Sequence, residues 1–275
     1  MIVVSGVSKS FSDVVALADV SFEMKKGVNV LIGPNGAGKT TTLKCIIGII
    51  KPDSGSIRIF EKPPEKVKER IAFLSEDRRG ISRLKVKDYE QLMALLYPTW
   101  DGRLFRKLLS HFQIPRQKAF DALSAGLKTL LLFSVAISSG ADVLLFDEPT
   151  QHLDPVKISD IQSLIRELGE EKIIVLSTHH LEEVESFADR MFVINEGRVI
   201  YYDDVDHAKE THRVVQQNEI SESDEIIHAV ESGWLIRTEK DKGRYPSLRE
   251  IVLAYLKKSS SSFLKSLLEM ERESS

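Results

Sequence analysis

Short apolar runs alternate along the chain with longer stretches in which apolar residues return every three to four positions. "VNVLI" (28–32) reads as a buried strand, and "KTTTLKCIIGII" as the helix after it. "SIRIF" (56–60) and "IAFLS" (71–75) read as strands bounded by Pro, Gly and charge. The period is helical from "VKDYEQLMALLY" (86–97) to about Leu109, with "PTWDG" as an interruption. A further helix opens at "LSAGLKTLLLF". "DVLLF" (142–146) and "KIIVLS" (172–177) are unbroken apolar runs, as central parallel strands require, with the helix "DPVKISDIQSLIRELG" between them. "RMFVINEGRVIYY" (190–202) places two strand-like runs around Asn-Glu-Gly, a hairpin signal. Near residue 212 the character changes to short mixed strands, closing with "PSLREIVLAYL", a helix started by Pro246. The serine run 259–262 predicts a hinge, and "FLKSLLEMERE" after it carries a weak apolar stripe (Phe263, Leu264, Leu267, Leu268). No internal repeat is visible, and the alternation of strand and helix patterns predicts an α/β fold.

Composition narrows the picture without changing it. The 275 residues suffice for one large or two modest domains, and 42% hydrophobic with 29% charged is ordinary for a globular chain. The formal charge of -3 gives no global electrostatic case for nucleic acid, so no nucleic-acid partner is expected. One cysteine, Cys45, rules out an internal disulfide; among the apolar neighbours of "CIIGII" it reads as a small buried hydrophobe. "MIVVSGVSKSF" lacks the features of a signal peptide, and no run approaches the ~20 apolar residues that span a bilayer. The most apolar region, "LKTLLLFSVAISS", is broken by serines and reads as a buried helix, so the chain by itself is expected to be soluble.

The candidate chemistry begins at "GPNGAGKT" (33–40), which follows an apolar strand and opens a helix. It matches the P-loop pattern of Gly, four residues, Gly, Lys, Ser/Thr. Gly33, Gly36 and Gly38 permit the backbone angles that turn successive N–H groups towards phosphate oxygens, with Pro34, Asn35 and Ala37 between them. Lys39 offers a point charge to β- and γ-phosphates. Thr40 supplies a hydroxyl to Mg²⁺, and the helix start, including Thr41, adds its dipole. The loop predicts a site for a nucleoside triphosphate with Mg²⁺.

"VLLFDEPT" (143–150) then delivers two carboxylates at the end of an apolar strand. Asp147 suits the Mg²⁺ shell, and Glu148 can orient or deprotonate an attacking water. Two acids capping the next helix is the bland alternative. Adjacent acids favour hydrolysis by water over transfer to a bulky acceptor. "LSAGLK" (123–128) is weaker alone, because Ser124 before an apolar helix is first of all a good N-cap.

Taken with "LSAGLK" upstream of Asp147, these motifs make the chain resemble the nucleotide-binding subunit of an ATP-binding cassette (ABC) transporter, over about residues 1–205. That family orders its motifs as P-loop, Q-loop, signature, Walker B, D-loop and switch histidine, and each has a counterpart here. The family signature, Leu-Ser-Gly-Gly-Gln, completes the ATP site of a partner subunit. The resemblance therefore implies that Ser124 and Gly126 contact the γ-phosphate across a dimer, while Ala125 and Leu127 depart from the pattern. In the D-loop "QHLDP" (151–155), Leu153 and Asp154 match; Gln151 and His152 are less usual. His179 in "LSTHHLEEVE" resembles the switch histidine that touches the γ-phosphate and the attacking water; its neighbour His180 reads as a helix start. Glu76 in "IAFLSEDRRG" stands where the family usually has Gln; a carboxylate could still reach metal or water, and a Glu at this spot resembles a bacterial exporter subgroup with two-gene organisation. Phe11 stands where the family carries an aromatic that stacks on adenine, with core packing as its alternative. The basic run Arg78, Arg79, Arg83, Lys85 and Lys87 is either a solvated face or a docking face for a partner's cytoplasmic loop.

The resemblance implies a P-loop ABC-type core (1–211) with an antiparallel N-terminal sheet and a helical subdomain at about 77–130, followed by a C-terminal accessory region (212–275) with a helical tail. It implies ATP and Mg²⁺ as cofactors, a homodimer or a heterodimer with a second cassette subunit, and a polytopic membrane permease that brings the chain to the cytoplasmic face of the membrane. "YPTWD" (97–101) further resembles cassette subunits of Gram-positive exporters linked to envelope-stress or antimicrobial-peptide defence. The rival functions are a cassette ATPase acting on nucleic acid or ribosomes, and a soluble assembly ATPase without transport.

Overall fold

The computed structural model describes residues 1–273; the side chains of the stripe at Phe263, Leu264, Leu267 and Leu268 lie outside the described residues. In chain order the elements are β1 (Ile2–Phe11), β2 (Val14–Met24), β3 (Gly27–Ile32), α1 (Lys39–Ile46), β4 (Ser54–Ile59) and β5 (Ile71–Leu74). Then come α2 (Val86–Leu96), α3 (Gly102–His111), α4 (Ala125–Ser138), β6 (Val143–Asp147), α5 (Pro155–Gly169) and β7 (Ile173–Thr178). The rest are α6 (Leu181–Val184), β8 (Arg190–Asn195), β9 (Arg198–Asp204), α7 (Val205–Thr211), β10 (His212–Val215), β11 (Glu225–Val230), β12 (Gly233–Arg237) and α8 (Leu248–Glu273).

The main sheet has the order β5-β6-β7-β3-β8-β9, parallel except for the antiparallel β8–β9 hairpin. Every residue of β3, β6 and β7 is buried, which explains their unbroken apolar runs. The two-residue period still sorts their side chains. Val28, Val30, Ile32, Leu144 and Phe146 join the core against the helices, whereas Leu31, Val143 and Leu145 face a second core. That second core is covered by α1 and by the antiparallel sheet β2-β1-β4. Stacking this way puts the carboxyl ends of β3, β6 and β7 at one edge, where ligands bind in open α/β sheets.

Helices α2 and α3 pack against α4. A third sheet, β10-β12-β11, follows. It is tied back by α8, whose Leu248, Ile251, Val252 and Tyr255 belong to the same core as Val30 of β3 and Phe146 of β6. At this junction the Tyr255 ring stacks on Tyr201 with centroids 4.0 Å apart, and His212 Nε2 lies 3.0 Å from the Tyr255 hydroxyl.

The structure departs from the sequence expectations at two places in α8. Pro246 does not open α8. Ser247 and Glu250 do so as a capping box, Glu250 N–H donating to Ser247 Oγ (3.3 Å) and Ser247 N–H to Glu250 Oε2 (2.9 Å). The serine run is not a break, because α8 continues through it. Ser260 Oγ donates back to the Leu256 carbonyl (3.1 Å), so this hydroxyl is satisfied inside the helix.

Candidate nucleotide site

The turn from β3 into α1 is shaped by close approaches that only glycine permits. A Cβ on Gly33 would stand 2.1 Å from the Ile194 carbonyl oxygen. Gly38, with φ +106°, caps α1, and a Cβ there would meet the Ala16 oxygen at 2.6 Å. Within the loop, Lys39 Nζ donates to the carbonyls of Gly33 (2.7 Å) and Pro34 (3.0 Å), and the residue is 7% exposed. Burial pulls its pKa below the ordinary lysine value, while Glu148, Asp147 and Glu76 act in the opposite direction. Asn35, Gly36, Ala37, Gly38, Lys39, Thr40 and Thr41 line a cavity of about 280 Å³ that also touches Glu76 and Glu148. Larger grooves elsewhere, such as one of about 790 Å³ along Arg166 and Glu185, lack such a set of phosphate-facing groups. The P-loop cavity, with its convergent polar groups, is therefore the better candidate.

The two acids arrive from the next strand but one. Asp147 ends β6 and pairs in register with Ser177 on β7. Its Oδ1 accepts from Thr40 Oγ1 (3.0 Å) and Ser177 Oγ (2.5 Å). Its Oδ2 is buried without a hydrogen-bond partner. A buried carboxylate oxygen without a partner beside a threonine hydroxyl fits a hard cation that prefers oxygen ligands, so the donor set suits Mg²⁺. Ser177 has no counterpart in the sequence reading. Its only signal was a hydroxyl residue near the end of an otherwise apolar strand.

Glu148 follows with a left-handed backbone, φ +49°. Its Oε1 lies 2.8 Å from His179 Nδ1, and its Oε2 is buried without a partner. With the carboxylate oxygen accepting, the imidazole donates from Nδ1 and its Nε2 is the remaining acceptor. Glu148, His179 and His180 offer atoms within 4.8 Å of one another. Two imidazoles are poor ligands for Mg²⁺, so the oxygen pair on Thr40 and Asp147 is the better cation site. His180 precedes α6, as the sequence suggested. The geometry can therefore do three things: cradle phosphate, hold a divalent cation, and bring a carboxylate–imidazole pair to the same cavity.

The remaining motifs cluster around this edge. Glu76 is on the cavity rim, with Gln151 Nε2 3.5 Å from its Oε1. Ser124 is the N-cap of α4, its Oγ accepting from Leu127 N–H (3.4 Å), so the N-cap reading holds in the single chain. Gly126 touches the D-loop: a Cβ there would stand 2.8 Å from the His152 oxygen. Asp154 caps α5 by accepting from Lys157 N–H (3.1 Å). Phe11 is 46% exposed at the end of β1, with Lys9 Nζ 5.5 Å from its ring centre, which excludes core packing. Val14, Val15 and Ala16 form the cavity wall nearest to it in the chain. The basic run divides. Arg79, Arg83, Lys85 and Lys87 lie on the surface, but Arg78 is buried, so it belongs neither to a solvated face nor to a docking face.

Comparison with known proteins decides the family. A profile of the ABC transporter family matches residues 17–151. The chain is 30% identical over 223 residues to the ABC transporter ATP-binding protein YtrB of Bacillus subtilis, covering 78% of this chain and 76% of that one. The chain belongs to the ABC transporter family of ATP-binding proteins. It is also 31% identical to the ABC transporter ATP-binding protein NatA of B. subtilis (80% of this chain, 96% of that one). With the bacitracin transport ATP-binding protein BcrA of Bacillus licheniformis it shares 28% identity (82% and 76%). Among solved structures, an ATP-binding subunit of an ABC transporter superposes with a TM-score of 0.71 at 27% identity, covering 76% of this chain and 92% of that one. The dimeric cassette MJ0796 shares the fold, with a TM-score of 0.68 at 22% identity (74% and 99%). The P-loop α/β fold of the ABC ATPase is thus shown. As a member of this family the cassette binds and hydrolyses ATP to energise a transporter. No described helix is long and apolar enough to cross a membrane.

Proposed function

We propose that this cassette powers a bacterial exporter, as one of two subunits that close around ATP and reopen on hydrolysis. The observation that carries the hydrolytic part is the Glu148–His179 pair at 2.8 Å beside the P-loop cavity. Gly33 to Thr41 hold the triphosphate, with Lys39 neutralising β- and γ-phosphate charge. Thr40 and Asp147 hold Mg²⁺, which shields phosphate charge when bound. Glu148 accepts a proton from the attacking water, and His179 orients that carboxylate and the γ-phosphate. Glu76 reaches the water or the metal shell from the rim, and Phe11 lies against adenine.

Ser124 and Gly126 complete the site of a second cassette, identical or related, in head-to-tail order. The shared fold with a cassette described as dimeric supports this arrangement. The membrane path belongs to a polytopic permease at whose cytoplasmic face the cassette docks, through Arg79, Arg83, Lys85 and Lys87. Residues 212–275 form an accessory region. The export direction is supported by Glu76 in place of the usual Gln, while the likeness to BcrA, named for bacitracin transport, supports a role in transport. Co-expression with a candidate permease, followed by ATP-driven uptake into inverted membrane vesicles, tests it. Uptake into such vesicles is expected for an exporter. Transport only in right-side-out vesicles refutes the direction, and no membrane association with any permease favours the soluble ATPase.

A further inference from the structure

Arg78 stands at the head of an otherwise surface-lying basic run, yet it is 8% exposed and lies behind the two acids. Its guanidinium donates in four directions. Nη1 reaches the Ser75 carbonyl (2.6 Å) and the Asp147 carbonyl (3.0 Å). Nη2 reaches the Glu148 carbonyl, and Nε the Thr129 hydroxyl (3.0 Å). Thr129 Oγ1 in turn donates to the carbonyl of Ala125, at the start of α4 (3.2 Å). One side chain thus ties together the loop after β5, the acids at the end of β6 and the signature helix.

The tie falls where the backbone is strained. Glu148 is a non-glycine residue at φ +49°. Such a conformation persists only when its surroundings hold it from both ends. Its N–H is held by the Ser177 carbonyl at 3.1 Å. Its own carbonyl is held by Arg78. Both peptide carbonyls that bracket the Glu148 Cα, those of Asp147 and Glu148, therefore end on the same planar cation. The cation also lies behind Asp147, Glu76 and Glu148 as a counter-charge.

We propose that Arg78 is a positioning residue for hydrolysis: it holds the left-handed turn that aims the Glu148 carboxylate, and through Thr129 it links that aim to the start of the signature helix. A lysine cannot serve, because a single ammonium cannot bond four acceptors spread around a plane. This inference rests on Glu148 as the base, which Glu148→Gln tests in a separate protein. Parent-rate hydrolysis by that variant removes the base, whatever Arg78 does.

The experiment uses the full chain as Arg78→Lys and Thr129→Val. Sites are counted by stoichiometric titration with a fluorescent ATP analogue, so that misfolded protein does not enter the rate. Misaiming the carboxylate by about 1 Å should lower kcat per binding site by ~10²-fold in Arg78→Lys. KM for ATP should stay within about 3-fold, because the phosphate cradle is untouched. Thr129→Val keeps the guanidinium and loses one link, so kcat should fall by a smaller factor, on the order of 3- to 10-fold, again without a change in KM. If Arg78→Lys does not fold, Thr129→Val still reads the link. Parent kcat per site in Arg78→Lys, or a rise in KM with kcat unchanged, overturns the positioning role. Parent kcat in Thr129→Val overturns the link to the signature helix.

Discussion

Lys39→Met separates what the P-loop cation does for the ligand from what it does for the fold. Lys39 Nζ is buried on the carbonyls of Gly33 (2.7 Å) and Pro34 (3.0 Å). Losing it leaves the Pro34 carbonyl still bonded to Ala37 N–H (3.2 Å). The Gly33 carbonyl loses a charged donor, a cost of about 1–3 kcal/mol. Against this stands the desolvation of a buried ammonium, several kcal/mol that the thioether does not incur. The two nearly offset, so folding stability should move by no more than about 2 kcal/mol. Nucleotide affinity has no such offset. A charge-assisted bond to phosphate is worth about 1.5–3 kcal/mol, which predicts binding weaker by about 10- to 100-fold. Hydrolysis should drop further, by about 10²–10³-fold, because the charge grows on the phosphoryl oxygens in the transition state. Denaturant unfolding, fluorescent-nucleotide titration and phosphate release measure the three quantities on one preparation. Parent-like phosphate release in Lys39→Met would refute the assignment of the loop.

Three further outcomes follow from the packing. Burial holds the His212 imidazole below its ordinary value of 6.5, with the Ala208 carbonyl, Arg237, Asp203 and Glu225 as secondary influences. A base whose folded pKa is depressed contributes full stability above its unfolded pKa and loses it as pH falls, so stability should decline from about pH 6.5 downward. His212→Gln should flatten that decline in chemical denaturation, and an unchanged slope would assign it to other groups. Phe146 is 0% exposed, with its ring 5.2 Å from that of Phe133 behind the acids. Phe146→Ala should therefore cost about 3–5 kcal/mol in urea unfolding, and a much smaller loss would mean that the site collapses to fill the space. Desolvation pushes the Cys45 thiol up to about 11. At pH 8 it should react with a thiol reagent only as fast as the protein opens, and rapid labelling of native protein would contradict its burial.

The P-loop edge was legible in the sequence because its pattern is local. The P-loop needs glycine, lysine and threonine within eight positions, and a fully buried strand such as "VLLFD" cannot hide its apolar run. Arg78 was not legible. Its burial depends on carbonyls of Asp147 and Glu148, far along the chain, and a basic run in sequence says nothing about which side chain turns inward. Ser177 escaped for the same reason, since its partner Asp147 is set by strand register. The short helix α7 spans too few residues to carry a readable period. The serines of α8 looked like a hinge because the bond from Ser260 Oγ back to the previous turn cannot be seen in a string of letters.

The most direct test of the account is Glu148→Gln in the purified chain with ATP and Mg²⁺. The amide keeps the shape of the carboxylate but accepts no proton from water, and its Oε1 can still accept from His179 Nδ1. ATP affinity should stay near that of the parent, hydrolysis should fall by about 10²-fold or more, and ATP-dependent dimers should persist in size-exclusion chromatography with light scattering. Hydrolysis at the parent rate would contradict Glu148 as the base outright.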